Sequence, residues 1–365
     1  MANLILLLAI VLIFAILLML FRIQRLVSVA KGEHREKVDG LNNLNANLMW
    51  ILPLVGTIAA IWYSGEATKY FLPEASSIHG KKTDDLFWFS TGVIILMFVV
   101  TNSALFYFAY RYRYKKDRKA SFFPENNKLE IAWTITPAII LTVLVFYGNK
   151  VWWDIMGDPP KNAEVVEIVG QQFAWKTRYP GKDKKLGTYD FRLIDAQNEL
   201  GINFENKDSD DDFVSNEVVL PVNRPVLFKI RAKDVLHSVF APHFRLKMDA
   251  VPGMPTQFHF TPTKTTAQMQ GELNNPKFTY EIACTEICGK GHYSMRLLVR
   301  VVEEEEYQKW YASQTPFLKQ DGNEKYKGRG LKWLRKAKNV ASKPEHKDKK
   351  EHKKEDRKTA QAKLD

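Results

Sequence analysis

Cysteine is nearly absent from this sequence: 365 residues contain only Cys284 and Cys288. One bridge at most is available, and it would close so small a loop that little stability would follow. No "CxxCH" occurs, which excludes a covalently attached c-type haem in this chain. Positive charge is missing from the leading "MAN", while Arg22 and Arg25 follow the first apolar run and separate it from the cleavage-like "SVA" at residues 28–30. That order argues against a cleaved signal peptide and for a retained helix. Acidic excess is lacking as well, since the formal net charge is +12. Such a balance suggests nucleic acid or an acidic membrane as partner. Residues 335–365, however, hold twelve Lys/Arg against six Asp/Glu. This lysine-rich stretch is too polar to pack a core, so a disordered tail facing solvent or lipid headgroups is expected, and no nucleic acid.

Long apolar runs dominate the first part of the chain. "LILLLAIVLIFAILLMLF" begins at Leu4, "LMWILPLVGTIAAIWY" at Leu48, "LFWFSTGVIILMFVVTNSALFYFAY" at Leu86 and "IAWTITPAIILTVLVFY" at Ile131. Roughly 17–25 apolar residues cross the hydrocarbon as a helix. The second run, which carries Pro53 and Gly56, falls slightly short, and four membrane helices are expected. The basic stretch "RYRYKKDRK" at residues 111–119 and the residues Arg22, Arg25, Lys31, Arg35 and Lys37 fall on one side, which the positive-inside rule makes cytoplasmic. Everything after Tyr147 then lies outside, in a periplasm or equivalent space, with both cysteines.

After Tyr147 the pattern changes to short strand-like segments: "EVVEIVGQQFAWKTRY", "EVVLPVNRPVLFKIRA", "TQFHFTP", "FTYEIAC" and "MRLLVRVVEE", separated by Pro, Gly and Asn. Alternation with regular turn signals predicts a β-sandwich or Greek-key barrel. A helix is expected around "EEEYQKWYASQ", where early glutamates suit the helix dipole. The acidic "NFENKDSDDDF" reads as a solvated loop, or as a docking site for a basic partner.

Three chemistries compete for "ACTEICGKGHYSM". A disulfide leaves His292 and Met295 unexplained. Zinc accepts two thiolates and two imidazoles but gives Met295 no role. Copper accounts for thiolates, imidazoles and a weak axial thioether together, and two thiolates on one loop can bridge two coppers. A second imidazole must come from elsewhere. Of eight histidines, His34 and His79 lie in loops between spans and His346 and His352 in the tail, which leaves His237, His243 and His259.

"DVLHS", "KMDAVPG" and Cys284-x-Glu286-x-Cys288-Gly289-x-x-His292-x-x-Met295 closely resemble subunit II of the haem–copper cytochrome c oxidases, over roughly Leu86 to Ala312. The resemblance implies a membrane α-helical N-terminal part followed by an all-β cupredoxin-like Greek-key sandwich. It implies a binuclear copper centre, copper A, with His237, Cys284, Cys288, His292 and Met295 as side-chain ligands. Glu286 would give its carbonyl to one copper and its carboxylate to a magnesium or manganese ion shared with subunit I, as suits a hard donor. His243 and His259 lack ligand positions.

"LEIAWTITPAIIL" resembles the family's second membrane helix, where Glu130 would open a proton path into subunit I. An ordinary interfacial glutamate is the plain alternative, although an ionisable group at the edge of a span is a functional candidate. "GQQFAWKTRYP" resembles the stretch that receives electrons from cytochrome c. The family pattern is glutamine-tryptophan-x-tryptophan, whereas this chain has Phe173 at the first tryptophan position and keeps only Trp175, the pair expected to take in electrons. The donor that the resemblance implies is a separate c-type cytochrome, free or held in a supercomplex with a quinol:cytochrome c reductase or alternative complex III.

The expected organisation is an extension with two membrane helices (1–85), a helical hairpin of the subunit II type (86–150), the copper domain (151–304), a helical segment (305–334) and the tail (335–365). The implied protein sits in a bacterial inner membrane with subunits I and III, its copper domain periplasmic. It would pass electrons to haem in subunit I for oxygen reduction coupled to proton pumping. The competing readings are the copper-free subunit of a quinol oxidase and a periplasmic copper-binding membrane protein.

Overall fold

The computed structural model describes residues 2–31, 40–115, 117–320 and 322–327. The lysine-rich tail and His34 lie outside the described residues.

Among the described residues, four helices are long and apolar enough to cross a membrane: α1 (Ala2–Ala30), α2 (Gly40–Ala67), α3 (Ile78–Arg111) and α4 (Asn127–Met156). Each exceeds the apolar run that announces it. The second run is flanked by "GLNNLNAN", polar but compatible with helix, so α2 reaches 28 residues despite Pro53. Side chains along these helices point outward: Leu52, Ile61, Trp62 and Phe146 are 68%, 69%, 69% and 71% exposed. Such surfaces suit lipid rather than water.

The chain divides into two compact units, residues 1–71 with 90–138, and residues 72–89 with 139 onward. The described residues of the second unit form ten strands in two five-stranded sheets. They are β1 (Glu164–Gln171), β2 (Ala174–Tyr179), β3 (Phe213–Ser215), β4 (Val218–Pro221), β5 (Val226–Ala232), β6 (His237–Ala241), β7 (Leu246–Ala250), β8 (Thr256–Phe260), β9 (Tyr280–Cys284) and β10 (Arg296–Val302). One sheet has the order β3-β2-β1-β5-β8, the other β4-β10-β9-β6-β7. Val166, Ile168, Phe228 and Ile230 of the first meet Val239, Ile282, Leu297 and Val299 of the second in one core. A seven-residue helix α5 (Thr266–Glu272) with a complete capping box precedes β9, and α6 (Glu304–Ser313) follows β10.

β1 is buried on both faces. Its outward Val169 packs with Leu200, Ile202, Phe204, Phe317 and Tyr326. Two departures from the expected organisation follow. The segment after Ser313 continues not as one helix but as short 3-10 turns at Phe317–Lys319 and Glu324–Tyr326, because Pro316 and Gly322 interrupt helical geometry. The acidic loop is also only partly solvated, since Phe204, Ser209 and Asp212 are buried. Asp212 accepts from Arg178, which also binds Glu167, and Glu167 in turn binds Arg231. Burial opposes ionisation of Glu167, but the two guanidiniums outweigh it and hold its carboxyl at about 2. Burial dominates at Asp212 and pushes it up to about 7 against the pull of Arg178.

Residues 73–84, ahead of the apolar part of α3, are strapped to the β domain. Ser76 donates its amide to the His243 carbonyl and Ile78 to that of Thr261, while Thr263 donates to Ser76. Arg245 clasps the Asp84 carboxylate and the Pro73 carbonyl.

Candidate metal centre

Strand pairing brings the donors together. β6 and β9 are antiparallel with Val239 opposite Cys284, which sets His237 at the start of β6 beside the end of β9. β9 and β10 pair with Ala283 opposite Arg296, so the connecting loop closes at its neck, where the Cys284 amide donates to the Met295 carbonyl. Inside the loop, tight turns (His292 amide to Gly289 carbonyl, Met295 amide to His292 carbonyl) fold the chain back on itself. Gly289, at φ +133°, has a backbone conformation open essentially only to glycine.

The sulfurs of Cys284 and Cys288 lie 3.9 Å apart, about twice the ~2.05 Å of a disulfide bond. His237 Nδ1 is 3.9 Å from Cys284 Sγ, His292 Nδ1 is 3.7 Å from Cys288 Sγ, and Met295 Sδ is 3.9 Å from Cys288 Sγ. The Glu286 carbonyl oxygen points inward, 3.2 Å from Cys284 Sγ, and its side chain is exposed. His237, Cys284, Cys288 and Met295 are buried, His292 half-buried. The ligand atoms of His237, Cys284 and Cys288 all lie within 4.8 Å of one another. Burial and the neighbouring Cys284 push the Cys288 thiol up to about 11. A bound cation reverses that preference by stabilising both thiolates. The donors are three sulfurs and two imidazole nitrogens with a lone carbonyl, a soft set that fits copper better than a hard cation.

The surrounding contacts were not legible from motif spacing. His237 Nε2 lies 2.9 Å from Asp234 Oδ1. Burial opposes ionisation of Asp234, but hydrogen bonds from the Gln172 amide, His237 and the Val235 amide bring its carboxyl below the usual range. "EVVEIVGQQFAWKTRY" is not one strand but a hairpin that turns at Gln172–Phe173, without a glycine or asparagine in the turn to announce it. Phe173, 39% exposed, sits at this turn against the ligand loop. A Cβ at Gly291 would come within 2.5 Å of its ring. Trp175 is buried in the core with its ring edge-on to His237 at 5.8 Å. On β1, a Cβ at Gly170 would come within 2.8 Å of the His237 ring, so the strand leaves room for the imidazole only as glycine.

Among the remaining candidates, His243 packs edge-on to Phe278 and Tyr280, and His259 lies on β8. Glu130 belongs to the other compact unit and is not part of this cluster. It is exposed near the start of α4, where its carboxylate accepts from the Asn126 amide while the Asn126 side chain accepts from Leu129. This is a variant of reciprocal helix capping, a local role the sequence motif did not reveal.

Comparison with known proteins adds two family matches. Residues 164–302 match the family described as cytochrome C oxidase subunit II, periplasmic domain, and residues 65–151 match the corresponding transmembrane domain. The second match begins ahead of the third apolar run and includes the strap, which carries no long hydrophobic signal. Most of α1 and α2 lies outside both. The alternative cytochrome c oxidase subunit 2 of Bradyrhizobium diazoefficiens is 38% identical over 224 residues, 60% of this chain and 76% of that protein. Cytochrome c oxidase subunit 2 of Cereibacter sphaeroides is 28% identical over 256 residues, 66% and 78% of the two chains. A crystal structure of the periplasmic domain of subunit II from Bradyrhizobium japonicum covers 43% of this chain and 96% of its own, with 27% identity and a TM-score of 0.30.

Proposed function

The chain belongs to the cytochrome c oxidase subunit II family, and from that premise we propose that it is the electron-receiving subunit of a proton-pumping terminal oxidase. It takes electrons from a c-type cytochrome and delivers them to haem in subunit I. The observation that carries this reading is the convergence of Cys284, Cys288, His237, His292 and Met295, with neighbouring donor atoms 3.7–3.9 Å apart. Bound there, a pair of copper ions would supply a one-electron reservoir whose bond lengths change little on reduction.

The chain's own residues would hold and shield that pair. Cys284 and Cys288 would each offer a sulfur, His237 and His292 one nitrogen each, Met295 a weak thioether and Glu286 its carbonyl. The two-sheet core beneath the loop keeps these donors from rearranging. The outward Glu286 carboxylate is suited to a magnesium or manganese ion shared with subunit I. Phe173 presents a flat apolar surface beside the loop, and Trp175 fills the space behind it against His237. These two are the route we assign to arriving electrons. Glu130, at the edge of a lipid-facing helix, is the group we assign to the opening of a proton path completed by subunit I.

The assembly lies in a bacterial inner membrane with the β domain on the periplasmic side. Subunit III and a reductase-bound cytochrome donor are further partners in this reading. Metal analysis of the intact purified protein tests it. The expected result is two coppers per chain, a purple colour and a multi-line electron paramagnetic resonance spectrum. A single copper, or zinc alone, overturns it.

A further inference from the structure

The turn between β1 and β2 touches both arms of the metal centre. Gln172 donates its side-chain Nε2 to the Cys288 carbonyl at 2.6 Å and its backbone amide to Asp234 Oδ2 at 2.7 Å. Asp234 meets His237 Nε2 through its other oxygen, Oδ1, at 2.9 Å, and that oxygen also accepts from the Val235 amide. One residue thus joins the arm that carries Cys288 to the arm that carries His237. The two arms come from different parts of the chain, one where β5 of the first sheet leads into β6 of the second and the other between β9 and β10.

Each link has a distinct physical effect. With Nε2–H donated to the Asp234 carboxylate, His237 keeps its Nδ1 lone pair free, and that nitrogen faces Cys284 Sγ. The bond to the Cys288 carbonyl fixes the peptide that leads into Gly289, which sits at φ +133° and, lacking a Cβ, is otherwise free to twist. Phe173 closes the contact: a Cβ at Gly289 would come within 3.0 Å of its ring and within 3.1 Å of Gln172 Nε2.

We propose that Gln172 is a positioning residue for the metal centre, which locks the two ligand arms together through the Cys288 carbonyl and through Asp234. The spectroscopic part of this proposal rests on the copper reading above. The mechanical part does not.

Two measurements on the full chain in detergent separate them, using Gln172→Met, which removes the donor at similar length, and Gln172→Glu, which replaces the donor with an acceptor. In the metal-free protein, amide hydrogen exchange at residues 285–295 is expected to accelerate about tenfold in both variants, while the core strands β1 and β5 stay unchanged. In the copper-loaded protein, the hyperfine pattern is expected to change and copper to pass to a chelator about 10–100-fold more readily. Wild-type exchange in the loop of both variants overturns the brace, whatever the metal. Faster exchange with an unaltered spectrum and release rate overturns its role in positioning the ligands. A wild-type chain without a paired-copper spectrum overturns the copper reading, and the exchange result then stands on its own.

Discussion

Val166, Ile168, Phe228 and Ile230 on the strands are 0% exposed, while Ile61, Trp62 and Val145 on the helices are 69%, 69% and 66% exposed. Similar residue types turn inward in one part of the chain and outward in the other. A β domain in water buries its apolar atoms against each other, whereas the helices present theirs to a solvent that is itself apolar. The candidate sites follow the same division. The candidate metal centre is assembled within the β domain from side chains whose positions the chain's own packing fixes. Glu130 stands on an exposed helix surface, where its carboxylate accepts from the Asn126 amide of its own cap.

Breaking the first half of that comparison should have the largest effect. Gly291→Ala adds a methyl against the Phe173 ring at 2.5 Å, at a backbone conformation that alanine tolerates (φ −92°). Overpacking of this kind costs ~1–3 kcal/mol, and we expect a lowered melting temperature together with weaker copper retention. Adding Phe173→Ala removes the obstructing ring and should restore part of both. A double variant no better than Gly291→Ala alone would mean that the loop does not rest on this ring.

A smaller effect is expected where the site depends on a partner. Glu130→Gln keeps an acceptor for the Asn126 amide, so the helix cap survives. It should leave the copper spectrum unchanged and slow proton-linked turnover of the assembled oxidase about tenfold, or ~1.4 kcal/mol of barrier. An altered copper spectrum would show that Glu130 acts on the fold instead.

The smallest effect sharpens the contrast between the two buried carboxylates. Asp212 keeps its proton up to about 7 in the folded protein, against 3.8 ordinarily. Its stabilising effect is therefore complete below pH 4 and lost as pH rises through about 7. Glu167 acts in the opposite sense, and its share is lost only as pH falls from 4.5 towards 2. The melting temperature of the wild type relative to Asp212→Asn should accordingly decline by several degrees between pH 5 and 7.5, then level off. A difference independent of pH would show that Asp212 remains ionised throughout.

Much of this architecture was readable along the chain. Runs such as "LILLLAIVLIF" mark membrane helices because a helix must satisfy its backbone internally and cover its length with apolar atoms. Cys284, Glu286, Cys288, His292 and Met295 were conspicuous because they fall on one loop, where spacing in sequence approximates spacing in space. The hairpin turn at Gln172–Phe173 was not readable, since no turn residue marks it. Nor was the buried role of Asp212, whose neighbours "DSDDDF" look uniformly solvated. The strap at residues 73–84 escaped notice because hydrogen bonds to distant carbonyls leave no local pattern.

By itself, then, the sequence determined the number of long apolar helices, the strand-rich character of the second half and the chemical softness of one loop, since all three depend on residues adjacent in the chain. Composition and spacing left His237, His243 and His259 open, and the family resemblance singled out His237. Only the tertiary structure decided that its Nδ1 faces Cys284, that Gln172 and Asp234 stand behind the ligands, and that Gly170 and Gly291 must be small. Those relations arise from pairing β6 with β9 and folding β1 back on β2. Contacts across such distances in sequence are fixed by packing, not by any feature of the segments that make them.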